Sequence, residues 1–223
     1  MRYNFKFGAL LPYLDEIAQG VLLTLQFSLA TIVGGTLIGL AVAAASGSAS
    51  WPLRAAARVY VEAIRNTPLL VQLFLVFFGL PSLGIRLSAN MAALIALSVN
   101  LGAYAAEILR AGLESVRRSQ IEAARALGLT AGQTFRHVVL FQAIKAVYPA
   151  LSSQFVLIML ATSVVSSIGA TELFHQAAFI DSRTYRPFEA YALVTLVYLL
   201  LTLALRAFFA SLYWAVFVRR PAR

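Results

Sequence analysis

The chain has 223 residues, of which 61% are hydrophobic and only 12% charged, with a mean hydropathy of +0.81 and a net charge of +9. A soluble domain carries about 25% charged residues, so half that, with apolar runs near 20 residues, excludes a water-soluble core and indicates a multi-spanning helical membrane protein. The absence of Cys excludes disulfides, thiolate metal sites and a catalytic thiol, and His137 and His175 lie too far apart in sequence to suggest a metal site.

The N-terminus has scattered apolar residues before Asp15 and Glu16 and reads as a short amphipathic segment on the membrane, with Tyr3, Phe5, Phe7 and Tyr13 at the interface. The apolar run that follows is too long for a signal h-region, so no cleavage is expected after 41–43. Five spans follow within one transmembrane domain over 1–223: roughly 17–45, 59–80, 87–109, 134–171 and 190–218. The first exceeds the ~20 residues needed to cross and should tilt or protrude, until 46–52 break it. Pro149 should kink the fourth, because proline removes a backbone donor. Arg206 lies inside the fifth but near its end, where it can snorkel.

Thirteen of the 18 Lys and Arg collect on the side of the 111–133 loop; Arg2, Lys6, Arg86, Arg183 and Arg186 are the other five. The positive-inside rule then puts that loop and the C-terminus in the cytoplasm and the N-terminus outside. Basic residues confined to loops and span ends serve orientation, so nucleic acid is not an expected partner, whereas membrane lipid is.

The 111–133 loop is a polar, basic island. Ser119-Gln120-Ile121-Glu122 fits a capping box with Ser119 as the cap, Gly128 suits a left-handed helix stop, and Thr130-Ala131-Gly132-Gln133 repeats the capping pattern. The helix between them is too short to be stable alone and needs a surface to lie on. Ala123, Ala124 and Ala126 offer close approach, and Ile121, Leu127 and Leu129 can insert into a groove. The occupant of that surface is either a partner protein or the bilayer itself.

Polar residues within spans mark function or interhelical bonding. Asn100, Tyr104 and Glu107, four and three apart, share a helix face; Thr162, Ser163, Ser166 and Ser167 form a hydroxylated stripe; Gln72 and Gln154 add amides. Asn100 and Tyr104 read as part of a wet substrate path, whereas the hydroxyl stripe fits either that path or helix packing. Glu107 with Arg110, and Glu62 with Arg65, read as structural or gating ion pairs. Gly35-Thr36-Leu37-Ile38-Gly39 reads as a packing surface.

Several motifs in order carry a resemblance. Glu122-Ala123-Ala124 with Gly128 is similar to the "EAA…G" loop of bacterial ATP-driven importer permeases. Residues 65–72, Arg-Asn-Thr-Pro-Leu-Leu-Val-Gln, resemble their "RGTPLLVQ", and 102–110 their "GAYxAEIxR"; Gln142-Ala143, Pro149-Ala150-Leu151 and Thr162-Ser163-Val164 fall where that family has them. Over roughly 18–215 the chain is similar to the histidine/glutamine-type permeases of ABC importers, which implies an all-α, MetI-like bundle in the bacterial inner membrane. The resemblance implies ATPase coupling through Glu122, Ala123, Ala124, Arg125, Leu127 and Gly128. It also implies a second permease subunit, a cytoplasmic ATPase dimer that holds ATP and Mg, and an extracytoplasmic binding protein that delivers a small polar solute such as a polar amino acid. The substrate path would use Gln72, Asn100, Tyr104, Gln154, Thr162, Ser163 and Ser166. The chain itself has no phosphate-loop motif, no expected cofactor and no catalytic constellation. Departures include Asn66 for Gly, Ser119 for Gly, Phe141 for Pro, and Leu160-Ala161 where relatives carry a Lys and an acid. The last pair favours a heterodimer in which a sister subunit carries specificity, without excluding a homodimer. The competing reading is an autonomous ion-coupled carrier or channel.

Overall fold

The computed structural model describes residues 4–219. Tyr3, Arg2, Arg220 and Arg223, used in the sequence reading, lie outside the described residues. A 3-10 turn at Phe7–Tyr13 leads into α1 (Leu14–Ser46), followed by α2 (Trp51–Arg65) and α3 (Leu69–Phe74), which continues through irregular turns to Leu83. Next come α4 (Ala89–Glu114), the short α5 (Arg118–Ala126) and α6 (Ala131–Thr134). A wide turn at Phe135–Val139 joins α6 to α7 (Leu140–Ala161), which tightens into 3-10 geometry at Thr162–Ile168. The chain closes with α8 (Leu173–Thr184) and α9 (Pro187–Tyr213), prolonged to Val218.

Among the described residues, four helical runs are long and apolar enough to cross a membrane: Phe7–Ser46, Ala89–Glu114, Ala131–Ile168 and Pro187–Val218. The second expected span, 59–80, is not one helix. It is α2 and α3, bent by 108° at Asn66-Thr67-Pro68, and only the bent pair together makes a fifth crossing. Pro68 is the cause, since proline forces its predecessor out of helical conformation, and Pro68 itself is extended. At Pro149, by contrast, α7 runs on, and the irregular turns flank it at 135–139 and 162–168. The amphipathic α8 was not anticipated; it lay between the fourth and fifth expected spans.

α4 is the centre of the bundle, packed by α1, α2, α3 and α7. Its inward positions are mostly small: Ala92, Ala93, Ala96, Gly102, Ala103, Ala105 and Ala106 are buried with Leu97 and Leu101. α1 carries its own buried small stripe: Gly20 and Thr24 meet α8, and further on Gly35 and Gly39 meet α4. A Cβ on Gly35 would sit 2.7 Å from the Leu101 side chain, and one on Gly39 2.6 Å from Ala105 Cβ. The G-x-x-x-G stretch is therefore an intramolecular packing surface, as its sequence suggested. Between lipid-solvated helices such close contact supplies the dispersion that the hydrophobic effect does not. Tyr60 fastens α2 to the same helix by donating to the Val99 carbonyl at 2.6 Å.

At the end remote from α5, α8 packs on the start of α1 and of α9 through Ile17, Leu173, Ala177, Ile180, Ala190 and Val194. Glu189 in the first turn of α9 pairs with Arg186 at 2.9 Å and accepts from the Lys6 backbone at 2.9 Å, which ties the N-terminal segment down. Leu substituted at Gly39 should overpack the α1–α4 contact at a cost of about 1–3 kcal/mol. A lowered thermal midpoint in detergent, with little change for Gly79→Leu where a Cβ meets nothing within 4 Å, checks it.

Candidate functional site

α5 projects from the end of the bundle where α4 stops and α6 begins. Its N-cap is Arg117, whose side chain makes no cap bond, so the expected Ser119 capping box does not form; Ser119 lies inside the first turn. The exit follows the sequence reading. Gly128 takes φ +81°, its N–H donates to the Arg125 carbonyl at 2.9 Å, and the Leu129 N–H donates to the Ala124 carbonyl at 3.1 Å. These two bonds make a Schellman stop, which favours glycine at that position. Thr130 then caps α6, with the Gln133 side chain accepting from the Thr130 N–H at 2.9 Å.

The faces of α5 differ from expectation in one respect. Ala124, expected on the side that meets a partner, is only 5% exposed, and Ile121 packs beside Val116, Val139 and Ala143. Ile121 thus seats the helix between the foot of α4 and the entry to α7, and Ala124, one turn on, is buried on the bundle's side. A short helix thus gains from its own chain the support it lacks alone. Glu122, Ala123, Arg125, Leu127 and Gly128 remain exposed, and Leu127, at 80% exposure, is the most prominent apolar group on this rim.

The bend between α2 and α3 gathers several of the polar residues singled out. Gln72, 8% exposed, donates through Nε2 to the Ile64 carbonyl at 2.8 Å, the Thr67 carbonyl at 3.1 Å and Thr67 Oγ1 at 2.9 Å. Its Oε1 accepts from Asn100 Nδ2 at 3.0 Å. Gln72 and Asn100 thus close a helix break and fasten it to α4. Tyr104, a turn beyond Asn100, lies beneath Arg65, whose guanidinium stands 5.6 Å from the ring centroid.

The ion pairs are arranged as a chain. Arg65 reaches Glu107 at 3.9 Å, Glu107 pairs closely with Arg110, and Arg110 pairs with Glu114 at 2.6 Å. The expected Glu62–Arg65 pair is replaced: Arg65 turns to Glu107, and Glu62 accepts from Asn66 Nδ2 at 2.9 Å. The residue that departs from the family pattern, Asn66, is what engages Glu62. Arg110, Glu107, Glu114 and Glu62 line a cavity of about 440 Å³ with Arg54 and Arg58.

The hydroxyl stripe is split. In 3-10 geometry every third residue shares a face, so Thr162, Val165 and Ile168 are buried together while Ser163 and Ser166 share a half-buried face. The hydroxyls of Thr162, Ser163, Ser166 and Ser167 each donate to the carbonyl three residues back, at 2.7 to 2.8 Å. Gln154 is half-buried on α7. The structure brings Gln72, Asn100 and Tyr104 together, but turns Thr162 away from Ser163 and Ser166.

Sequence reading missed Glu172. It is fully buried, caps α8 by accepting from the Phe174 and His175 N–H groups at 2.8 Å each, and accepts from Tyr198 Oη at 2.5 Å. Burial pushes its carboxyl above the ordinary value, opposed by those three hydrogen bonds. Acidic residues before a helix start are a legible cap signal. Burial was not legible, because it depends on α9 crossing over α8.

A helical bundle of four to five crossings among the described residues, a broken helix fastened to its central helix by Gln72 and Asn100, and an exposed short helix at one end define a multi-pass membrane protein. The chain belongs to the family described as binding-protein-dependent transport system inner membrane component, which matches residues 35–217. It is 38% identical over 205 residues to a probable glutamine ABC transporter permease of Bacillus subtilis, GlnM, covering 92% of this chain and 93% of the relative. It superposes at a TM-score of 0.91, with 36% identity, on a chain of an amino acid ABC transporter crystallised with histidines, covering 96% of this chain and all of that one. An inward-facing structure of the MetNI methionine ABC transporter shares the fold at a TM-score of 0.76 and 21% identity, over 92% of this chain and 98% of the other. The all-α, MetI-like architecture and the inner-membrane, multi-pass character expected from the motifs are thereby shown.

Gln72→Leu removes the closure of the α2–α3 break while keeping side-chain bulk. It should cost about 1–3 kcal/mol by leaving the Ile64 and Thr67 carbonyls and the buried Asn100 without their partner. A fall in thermal midpoint, larger than that of Gln142→Leu on the exposed start of α7, checks this.

Proposed function

We propose that this chain is the permease subunit of an ATP-driven importer for a polar amino acid or a related small solute. The observation that carries the proposal is α5: a short helix seated by Ile121 between the foot of α4 and the entry to α7, with Ala124 buried and Glu122, Ala123, Arg125, Leu127 and Gly128 presented on its outer side. A partner ATPase dimer would hold ATP and Mg and push on this rim. Ala124 then contributes by seating the helix rather than by touching the partner. The 13-to-5 distribution of Lys and Arg supports an α5 end in the cytoplasm, the C-terminus with it, and the N-terminus outside.

The solute class follows from the relatives, one named for glutamine and another crystallised with histidines. A second permease subunit would complete the path, and an extracytoplasmic binding protein would load it. Tyr104, Ser163, Ser166 and Gln154, all half-buried, are the groups offered to that path, since Gln72, Asn100 and Thr162 are buried inside the bundle. Leu160 and Ala161, in place of the charged pair of relatives, favour a sister subunit as the carrier of specificity. The Arg65–Glu107–Arg110–Glu114 chain would hold the cytoplasmic mouth shut between transport steps.

Glu122→Arg and Gly128→Asp test the reading. Both should insert normally, and uptake should fall at least tenfold with loss of the copurifying ATPase. The glycine variant carries in addition a backbone penalty of about 1 kcal/mol for a side chain at positive φ. Wild-type uptake by both variants, or nucleotide-independent transport by the chain alone in liposomes, overturns it in favour of an autonomous carrier.

A further inference from the structure

Arg206 is a charge within a span that the transport reading does not use. α9 is fixed at its far end by Glu189, Arg186 and the Lys6 backbone. Arg206 lies 17 residues further on, about 26 Å at 1.5 Å per residue, within a hydrocarbon layer of about 30 Å. It therefore sits just short of the α5-side boundary of the apolar layer. From there its long side chain can reach the headgroup level of that boundary. No carboxylate lies within ion-pair distance of it among the described residues. An intramembrane guanidinium calls for an anion or water.

What Arg206 faces is a cleft of about 350 Å³ between α7 and α9. Its walls are largely apolar, with Phe209 and the rings of Tyr148 and Tyr213, whose centroids are 5.5 Å apart. Tyr148 is already committed, donating to the Phe209 carbonyl at 2.7 Å, and Ser152 donates to the Pro149 carbonyl at 3.0 Å. The Ser153 and Tyr213 hydroxyls, also on the cleft, have no such bond among the described residues. The cleft thus combines one uncommitted cation, two uncommitted hydroxyl donors and an aromatic groove, at the depth where Tyr and Trp mark the membrane interface.

We propose that this cleft binds an anionic phospholipid of the α5-side leaflet. Its phosphate pairs with Arg206 and accepts from Ser153 and Tyr213, and an acyl chain lies along Phe209. Guanidinium matches phosphate geometry with two parallel hydrogen bonds, which a zwitterionic headgroup offers with less net attraction. The site shares no residue with α5 or with the groups assigned to the solute path, so its test does not depend on the transport reading.

The experiment is native mass spectrometry of the full chain, purified with its associated subunits and exchanged into detergent with phosphatidylglycerol or phosphatidylcholine. The wild type should retain one phosphatidylglycerol per copy of this chain beyond the number held by R206Q, with apparent affinity at least tenfold weaker in the variant, and should retain phosphatidylcholine poorly. R206K, which keeps the charge but not the fork, should fall between them, and S153A should weaken retention severalfold. Equal retention of phosphatidylglycerol by wild type and R206Q overturns the proposal. So does equal retention of both lipids by the wild type, which would mean a groove filled without regard to headgroup. Displacement of the lipid by millimolar inorganic phosphate would make it a free-anion site and would also overturn it. Should R206Q fail to fold, the wild-type lipid comparison and R206K decide the matter alone.

Discussion

In hydrocarbon there is no water to complete a hydrogen bond, so wherever a helix stops inside this bundle its loose backbone groups must be met by the chain itself. Much of the architecture can be derived from that condition. At Asn66-Thr67-Pro68 the backbone turns through 108°, and Gln72 returns to bond the carbonyls of Ile64 and Thr67. At the start of α8 the exposed N–H groups of Phe174 and His175 meet Glu172. At the end of α7 the helix tightens to 3-10 geometry, and its Ser and Thr hydroxyls bond back to carbonyls. Residues that look like a ligand-binding set in the sequence are thus partly occupied in sealing the ends of helices.

That competition explains what could and could not be read beforehand. Crossings were legible where long apolar runs and their flanks speak for themselves, and the family motifs fixed the order of elements. The bend between α2 and α3 was not, because the apolar run from Leu69 to Leu80 hides the effect of Pro68. α8 was missed because its apolar residues face inward, against α1 and α9, and only tertiary packing reveals that face. The stop at Gly128 and the cap at Thr130 were read correctly since both depend on local chemistry alone. The Ser119 cap failed by two residues, within the usual uncertainty of a helix end.

Charge is distributed with similar economy. Arg65, Glu107, Arg110 and Glu114 form one continuous chain along α4 from the bend toward α5. Arg110 therefore serves two carboxylates, and Arg65 joins the broken span to the central helix both through Glu107 and over the Tyr104 ring. The Gln72–Asn100 bond lies on the same two elements. The bend, the ion chain and α4 consequently act as one connected unit.

The seating of α5 has a mechanical corollary. Ile121 bears on residues at the feet of two different helices, Val116 beyond the end of α4 and Val139 and Ala143 at the entry to α7, and Ala124 is buried one turn further on. A rod held at two points does not swivel under load; it carries a lateral force into both supports at once. Displacement of Leu127 would therefore tend to move α4 and α7 in concert rather than wag a loose loop, so the bundle's stiffness is set at this small apolar joint.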